Sequence, residues 1–361
     1  MHTLFAPDLE HLSRREFLRF SAAGLLGLFW LPFLSAGERW QRLNAPAAGP
    51  GIYQLPARMG RAVDDDLEIF DKPSFSGKLR QVYWRDLVFD IDEVVFGDRL
   101  PRHNRVWYHI KGQGYAHSGQ IQPVDLRLNP VYRVVAPPGR LAEVTVPYTD
   151  TAVNYNQPQK IAYRLYYSTL HWVMGVVEDH NGHFWYELWD DKFKFFFYAN
   201  PEHLRFLKPE DTAPLSPEVP LDNKRIEVWL RDQLVIAYEN EEPVMITRAA
   251  TGGKFIEGDF TTPLGIYTTN RKRPSRHMAS EDLAAANSYD LPGVPWVCYI
   301  TGGGISFHGT YWHNDFGKPR SHGCINLAPE AANWLYRWTM PAVPFDQSIW
   351  IDDFGTPVRV L

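Results

Sequence analysis

The spacing of apolar positions changes several times along the chain. An unbroken apolar run from Phe20 to Leu34 ends in the small residues Ser35, Ala36 and Gly37. Residues 38–65 are polar and punctuated by Pro46, Gly49, Pro50, Gly51 and Pro56, which reads as a linker. Beyond it, apolar residues come in bursts of about five, the pattern of short strands. Pro209 to Pro220, with Pro214 and Pro217 between, forms a second break, and Pro137 to Tyr148 a softer one.

The segments between these breaks repeat. Val82-Tyr83-Trp84, Leu87, Trp107-Tyr108, Tyr115-Ala116, Ile121 and Val124 are matched by Leu165-Tyr166-Tyr167, Leu170, Trp185-Tyr186, Tyr198-Ala199, Leu204 and Leu207. From the Tyr-Ala pair onward the two spacings are identical. Each unit, 66–136 and 150–208, holds enough short strands for a small barrel. The Trp and Tyr residues serve either as barrel core or as a binding face.

After a proline-rich connection at 209–221 the pattern changes again. Ile226, Val228 and Leu230 alternate with Glu227 and Trp229, a half-buried strand, and Leu234 to Tyr238 begins another. Thr262-Pro263-Leu264-Gly265-Ile266-Tyr267 marks a tight bend before a strand. Ser280 to Asn287 reads as a short helix capped by Ser280, and Val294 to Ile300 as a strand. A helix opens at Pro329 and runs through Glu330 to Trp338. The expected fold is therefore mainly β, with two small β-barrel modules followed by a β-rich domain at 222–361 that carries a short C-terminal helix.

Composition narrows the function classes. A chain of 361 residues suits two or three domains. Its 45% hydrophobic content excludes a disordered chain. Its formal charge of −5 argues against a nucleic-acid binder. The 14% aromatic share favours short strands and surfaces that stack on flat groups such as sugar rings. Two cysteines, Cys298 and Cys324, cannot build a disulfide framework or a four-cysteine zinc site. Arg14 and Arg15, with Ser13 before them and Phe17, Leu18 and the apolar run after them, have the layout of a twin-arginine export signal at 1–37. The run is short for a membrane span, which needs about 20 apolar residues. Cleavage after Ala36 or Gly37 and an uncleaved anchor are both open, and the working part is expected outside the cytoplasm.

The candidate chemistry lies in His308-Gly309-Thr310-Tyr311-Trp312-His313 and Ser321-His322-Gly323-Cys324-Ile325-Asn326. An unpaired cysteine in an exported protein, with histidines nearby, is a candidate nucleophile. An imidazole or the helix opening at Pro329 would stabilise its thiolate. Gly323 gives the backbone freedom to bring N–H groups to a reacting carbonyl, an oxyanion hole. Cys298, in the apolar Trp296 to Ile300, reads as a buried structural thiol. His313 reads as an exposed loop residue. Arg271, Lys272, Arg273 and Arg276 read either as a solvated loop or as a cradle for substrate carboxylates.

These motifs, with the upstream Thr-Pro-Leu-Gly-Ile-Tyr, resemble the L,D-transpeptidases of bacterial peptidoglycan with a YkuD-type catalytic domain. The stretch Trp107 to Val124 resembles bacterial Src-homology-3-like modules. The first resemblance implies that Cys324 is the acylated nucleophile, that His308 accepts and donates the proton, and that the Gly309 carbonyl orients His308. It places Ser321, His322, Gly323 and Asn326 in the loop shaping the site, and Ser321, Asn326, Arg320 and Tyr311 are expected to bind substrate. The implied reaction is 3→3 cross-linking of stem peptides through a thioester, without metal or organic cofactor. Water in place of the acceptor amine gives L,D-carboxypeptidase activity. Expected partners are peptidoglycan stem peptides, wall glycan through the N-terminal modules, and the twin-arginine export machinery, with no nucleic acid. Three rivals are a zinc site of His308, His313, His322 and Cys324, a papain-like protease, and a wall-binding protein without catalysis. The zinc set lacks a recognised ligand spacing. A papain-like enzyme would need a different sequence around its cysteine and a distant downstream histidine.

Overall fold

The computed structural model describes residues 58–256, 258–283 and 288–361. The expected export signal and the linker as far as residue 57 lie outside the described residues, among which no helix is long and apolar enough to cross a membrane.

Seven strands form the first sheet: β1 (Arg58–Ala62), β2 (Leu67–Phe70), β3 (Leu79–Tyr83), β4 (Val88–Phe96), β5 (Val106–Ile110), β6 (Gly114–His117) and β7 (Ile121–Val124). Seven more form the second: β8 (Arg140–Val144), β9 (Tyr148–Ala152), β10 (Ile161–Tyr166), β11 (Leu170–Glu178), β12 (Phe184–Trp189), β13 (Phe196–Ala199) and β14 (Leu204–Phe206). The orders are β3-β2-β6-β5-β4-β1-β7 and β10-β9-β13-β12-β11-β8-β14, the same topology twice. Identical spacing after the Tyr-Ala pair has a physical counterpart. Side chains of His117 and Asn200 each accept a backbone N–H two residues on and cap one turn of 3-10 helix leading into the last strand. At the earlier turn the sequence match is one residue out of register. Trp84 and Tyr166 each offer a carbonyl to the N–H three residues later, so Trp84 corresponds to Tyr166 rather than to Tyr167.

Neither unit closes into the expected small barrel, because the end strands of each order are not paired with each other. The stretches read as linker and break hold β1 and β8. Each of these inserts between two other strands of its sheet, β4 and β7 or β11 and β14, and lengthens it.

The C-terminal half follows a one-turn helix α1 (Pro209–Thr212). Its strands are β15 (Lys224–Trp229), β16 (Leu234–Glu239), β17 (Glu242–Arg248), β18 (Lys254–Phe255), β19 (Gly258–Asp259), β20 (Gly265–Thr268), β21 (Arg271–Ala279), β22 (Asp290–Tyr299), β23 (Ser306–Gly309), β24 (Ile325–Leu327), β25 (Trp350–Ile351) and β26 (Pro357–Val360). Helix α2 (Pro329–Trp338) lies between β24 and β25. Two five-stranded sheets result, β17-β16-β15-β26-β20 and β24-β23-β22-β21-β25, beside a β18-β19 ribbon. One core joins them: Ile226, Val228, Val235 and Ala237 from the first, Cys298, Phe307, Ile325 and Leu327 from the second, and Leu335, Tyr336 and Trp338 from α2. Fully burying each large apolar side chain contributes about 1.5–3 kcal/mol. Residues 281–283 of the expected helix are not helical, and 284–287 lie outside the described residues. The Ser280 N–H and hydroxyl pair with the backbone of Tyr289.

The repeat units are built into this half rather than hung from it. Arg61 donates to the Tyr311 carbonyl at 2.8 Å, and Tyr166 stacks on the Tyr311 ring. Buried His277 lies between Asp190 and Asp290, and Arg273 and Arg276 both pair with Asp191. Lys272 is buried and donates to the carbonyls of Tyr336, Thr339 and Pro341. Arg271 covers the Tyr299 ring. The basic run is thus neither a solvated loop nor a free cradle. It is strand β21, and its charges are taken up in holding the fold.

Candidate active site

The site is set by one strand register. Parallel β23 and β24 place Phe307 opposite Ile325 and His308 opposite Asn326. Side chains alternate across a sheet, so Phe307 and Ile325 enter the core while Ser306, His308, Cys324 and Asn326 share the other face. Cys324 Sγ lies 3.7 Å from Ser306 Oγ and 3.9 Å from the Gly304 carbonyl. Burial pushes its thiol up, and the Ser306 N–H and hydroxyl pull part of the way back. Strand β24 separates Cys324 from α2 in sequence.

His308 is 2% exposed. Its Nδ1 is 3.1 Å from the Gly309 carbonyl, which can only accept. Nδ1 therefore carries the proton and Nε2 keeps its lone pair. Burial lowers its pKa to about 4, so the imidazole is neutral at pH 7. Thiol and imidazole are both uncharged at rest, a neutral pair rather than a preformed thiolate–imidazolium pair.

The turn before Cys324 is pinned on both sides of one residue. Gly323 has φ +120°, a conformation that favours glycine. Its N–H donates to Ser321 Oγ at 3.2 Å, and its carbonyl accepts from Thr262 Oγ1 at 2.8 Å. Thr262 in turn accepts the Gly252 N–H at 2.9 Å. A Cβ on Gly252 would meet Gly323 Cα at 2.7 Å and collide with the Phe260 carbonyl. Gly323 therefore shapes the turn, while its own N–H is already committed.

Several of the residues expected to bind substrate make hydrogen bonds within the fold. Ser321 Oγ donates to the Cys324 carbonyl, closing the turn. Both Arg320 contacts go to Asp315. Tyr311 is buried in a separate cluster, its hydroxyl on the Pro292 carbonyl, because the first repeat unit covers it. His322 is exposed, 4.4 Å ring to ring from Phe260 and 6.4 Å from Tyr289. His313 is buried and not a loop-surface residue. The first unit seals its loop through Arg61, the Gly119 carbonyl on Asn314 N–H, and His103 on Asp315. Cys298 is fully buried, and both cysteines are free thiols. Among the described residues no three His, Cys, Asp or Glu side chains converge as metal ligands.

Sequence reasoning missed Ser306, Thr262 and Tyr289. Ser306 lies two residues before His308 and so on its face, a signal the strand period offered. Thr262 opens the Thr-Pro-Leu-Gly motif, whose role here is to lock the Gly323 peptide. Tyr289 is close enough to Cys324 for the sulfur to help burial raise its phenol. That proximity left no trace in the sequence.

Residues 223–360 match the family model of the YkuD L,D-transpeptidase catalytic domain. Similar solved structures include an Enterococcus faecium L,D-transpeptidase C442S mutant, at 23% identity over 38% of this chain and 50% of that one, with a TM-score of 0.30. An L,D-transpeptidase from Mycobacterium smegmatis is 20% identical over 48% of this chain and 77% of that one, with a TM-score of 0.32. This chain therefore spans about half the length of the first of these. No curated protein matches the chain.

Proposed function

We propose that this chain is an exported peptidoglycan L,D-transpeptidase that forms 3→3 cross-links through a thioester on Cys324. The observation that carries the reading is the common face of Cys324, Ser306 and His308, with His308 Nδ1 fixed on the Gly309 carbonyl. Sγ attacks the carbonyl preceding the terminal D-alanine of a tetrapeptide stem. The thiol proton passes to His308 Nε2 as the C–S bond forms, since neither group is charged beforehand. Nε2 then gives that proton to the departing D-alanine amine. A neighbouring stem's amine attacks the thioester, Nε2 takes its proton, and the proton returns to sulfur as the thioester breaks.

In this reading Asn326 lies beside the acyl group, and His322 with Phe260 and Tyr289 forms the exposed rim. The two repeat units carry the enzyme on wall glycan, and the twin-arginine signal exports it. Replacing Arg14 and Arg15 by Lys together is expected to hold the protein in the cytoplasm.

The deciding experiment is mass spectrometry of muropeptide monomers with a tetrapeptide stem, incubated with the protein and with Cys324→Ala. Dimers joined 3→3 and a transient adduct on Cys324 are expected, and neither in the variant. Release of D-alanine without dimers would make the activity L,D-carboxypeptidase trimming. No adduct on the wild-type protein, with any acyl donor or carbapenem, would remove the catalytic reading.

A further inference from the structure

The residue that sets the polarity of the wall beside His308 is His313. The residue is 5% exposed, and each ring nitrogen has one hydrogen-bond partner. The Asp315 backbone N–H donates to Nδ1 at 3.3 Å, and Asn326 Nδ2 is 3.0 Å from Nε2, an arrangement of two donors that would leave a neutral ring with no place for its own proton. A backbone N–H can only donate, so Nδ1 must be the unprotonated nitrogen. Burial keeps this imidazole neutral, with a pKa of about 3, so its single proton sits on Nε2. A donor at Nε2 needs an acceptor, and the amide end facing it must be the carbonyl oxygen. Which end of an amide faces a partner is assigned from the hydrogen-bond network. The end of Asn326 away from His313, placed in the structure as Oδ1, is buried and without a partner. Turning the carbonyl to His313 makes that end the N–H2.

We propose that His313, as its Nε2–H tautomer, is a positioning residue that holds the Asn326 carbonyl and thereby leaves the Asn326 N–H2, on the face shared with Cys324 and His308, as a donor for an anionic or carbonyl oxygen of the acyl group. The loop is built to keep this tautomer. Asp315, whose N–H dictates it, has its carboxylate gripped by His103 of the first repeat unit at 2.7 Å and by Lys318 and Arg320, each at 2.7 Å. Asn314 N–H is held by the Gly119 carbonyl of that same unit. A repeat unit on one side of the loop thus fixes a proton position on the other. An unpartnered buried amide would otherwise be a cost, of roughly 1–3 kcal/mol for a group that loses its hydrogen bond. That end is closed to solvent in the free protein, so a substrate oxygen would reach it once the side chains around it shift.

The proposal rests on the acyl-transfer reading for its consequence but not for its chemistry, and two measurements keep them apart. The first is nitrogen-15 NMR of histidine in the full chain at pH 7. The expected result for His313 is a proton on Nε2 and none on Nδ1. A proton on Nδ1, or an imidazolium, overturns the proposal whatever the enzyme does. The second is the acylation rate of Cys324 by a carbapenem in His313→Gln and His313→Asn, with melting temperatures beside it. The Gln amide N–H2 reaches the Nε2 position and is expected to keep the rate within a few-fold, whereas Asn reaches only the Nδ1 position and is expected to lose about tenfold or more. Equal losses in the two variants, tracking their melting temperatures, would make His313 a packing residue and overturn the proposal. A wild-type protein that is never acylated would sink the functional reading instead, and the tautomer measurement alone would then decide.

Discussion

Replacing Thr262 by Val tests whether the Gly323 peptide is held from outside the catalytic loop. Val has nearly the shape of Thr but no hydroxyl, so the change removes two hydrogen bonds without opening a cavity. The Gly252 N–H loses its acceptor and the Gly323 carbonyl its donor, and both sit in a buried turn. Thr262 itself is fully buried, so water cannot substitute. Each stranded group costs about 1–3 kcal/mol, giving a combined loss of roughly 2–6 kcal/mol. At roughly 2 °C per kcal/mol for a large domain, melting should fall by about 4–12 °C. Because the Gly323 carbonyl immediately precedes Cys324, the acylation rate should fall as well, even well below the new melting temperature. Thr262→Ser keeps the hydroxyl and should recover most of both. The assays are calorimetry and the rate of adduct formation on Cys324 by intact-protein mass spectrometry. A Val variant that melts normally and acylates normally would show that the Thr-Pro-Leu-Gly motif does not support the turn.

Because His308 is held neutral down to a pKa of about 4, kcat/KM should keep its base through mildly acid pH and halve near pH 4, not near the usual histidine value of about 6.5; a pH–rate profile with an acid limb near 6.5 would refute the burial argument. The lowered values of His308, His313 and His171 have a stability consequence with a definite sign. The unfolded chain takes up protons first, so their contribution is complete above about pH 6.5 and is lost as the pH falls toward their folded values; acid melts that leave the melting temperature flat from pH 7 to 4 would contradict it. His308→Ala should lower acylation by about 10²-fold or more, whereas His322→Ala, an exposed rim residue, should retain measurable acylation; a reversal of these rates would exchange their roles. A chain cut to residues 222–361 strips Arg273 and Arg276 of Asp191, leaves His277 with Asp290 but without Asp190, and uncovers Tyr311. It should therefore be less stable than the full chain and slower to acylate, and an unchanged melting temperature would show the repeat units to be dispensable.

What the sequence determined by itself was everything local. The spacing after Tyr115-Ala116 and Tyr198-Ala199 revealed a repeat, because equal spacing produces the same cap, turn and strand entry twice. The alternation at Ile226 and Val228 marked a half-buried strand, and Pro329 opened a helix where it was expected. Cys324 and His308 stood out because a chain read as exported would have little other reason to keep a thiol near histidines. Tertiary structure decided what long-range pairing decides. Whether β1 and β8 are linkers or interior strands depends on partners up to about 60 residues away, which no local window sees. The basic run of β21 read as a solvated loop or a carboxylate cradle until its counter-charge, Asp191, arrived from the second repeat unit. Ser321, Arg320 and Tyr311 sat in the expected motif, and their hydrogen bonds go to Cys324, Asp315 and Pro292: the buried Ser321 and Tyr311 take partners the fold supplies, and Arg320 is drawn to the buried Asp315 carboxylate. The proton on His313 is the clearest case. Its position follows from a backbone N–H, an amide and a covering domain that only folding brings together, while the residue type alone allows either tautomer.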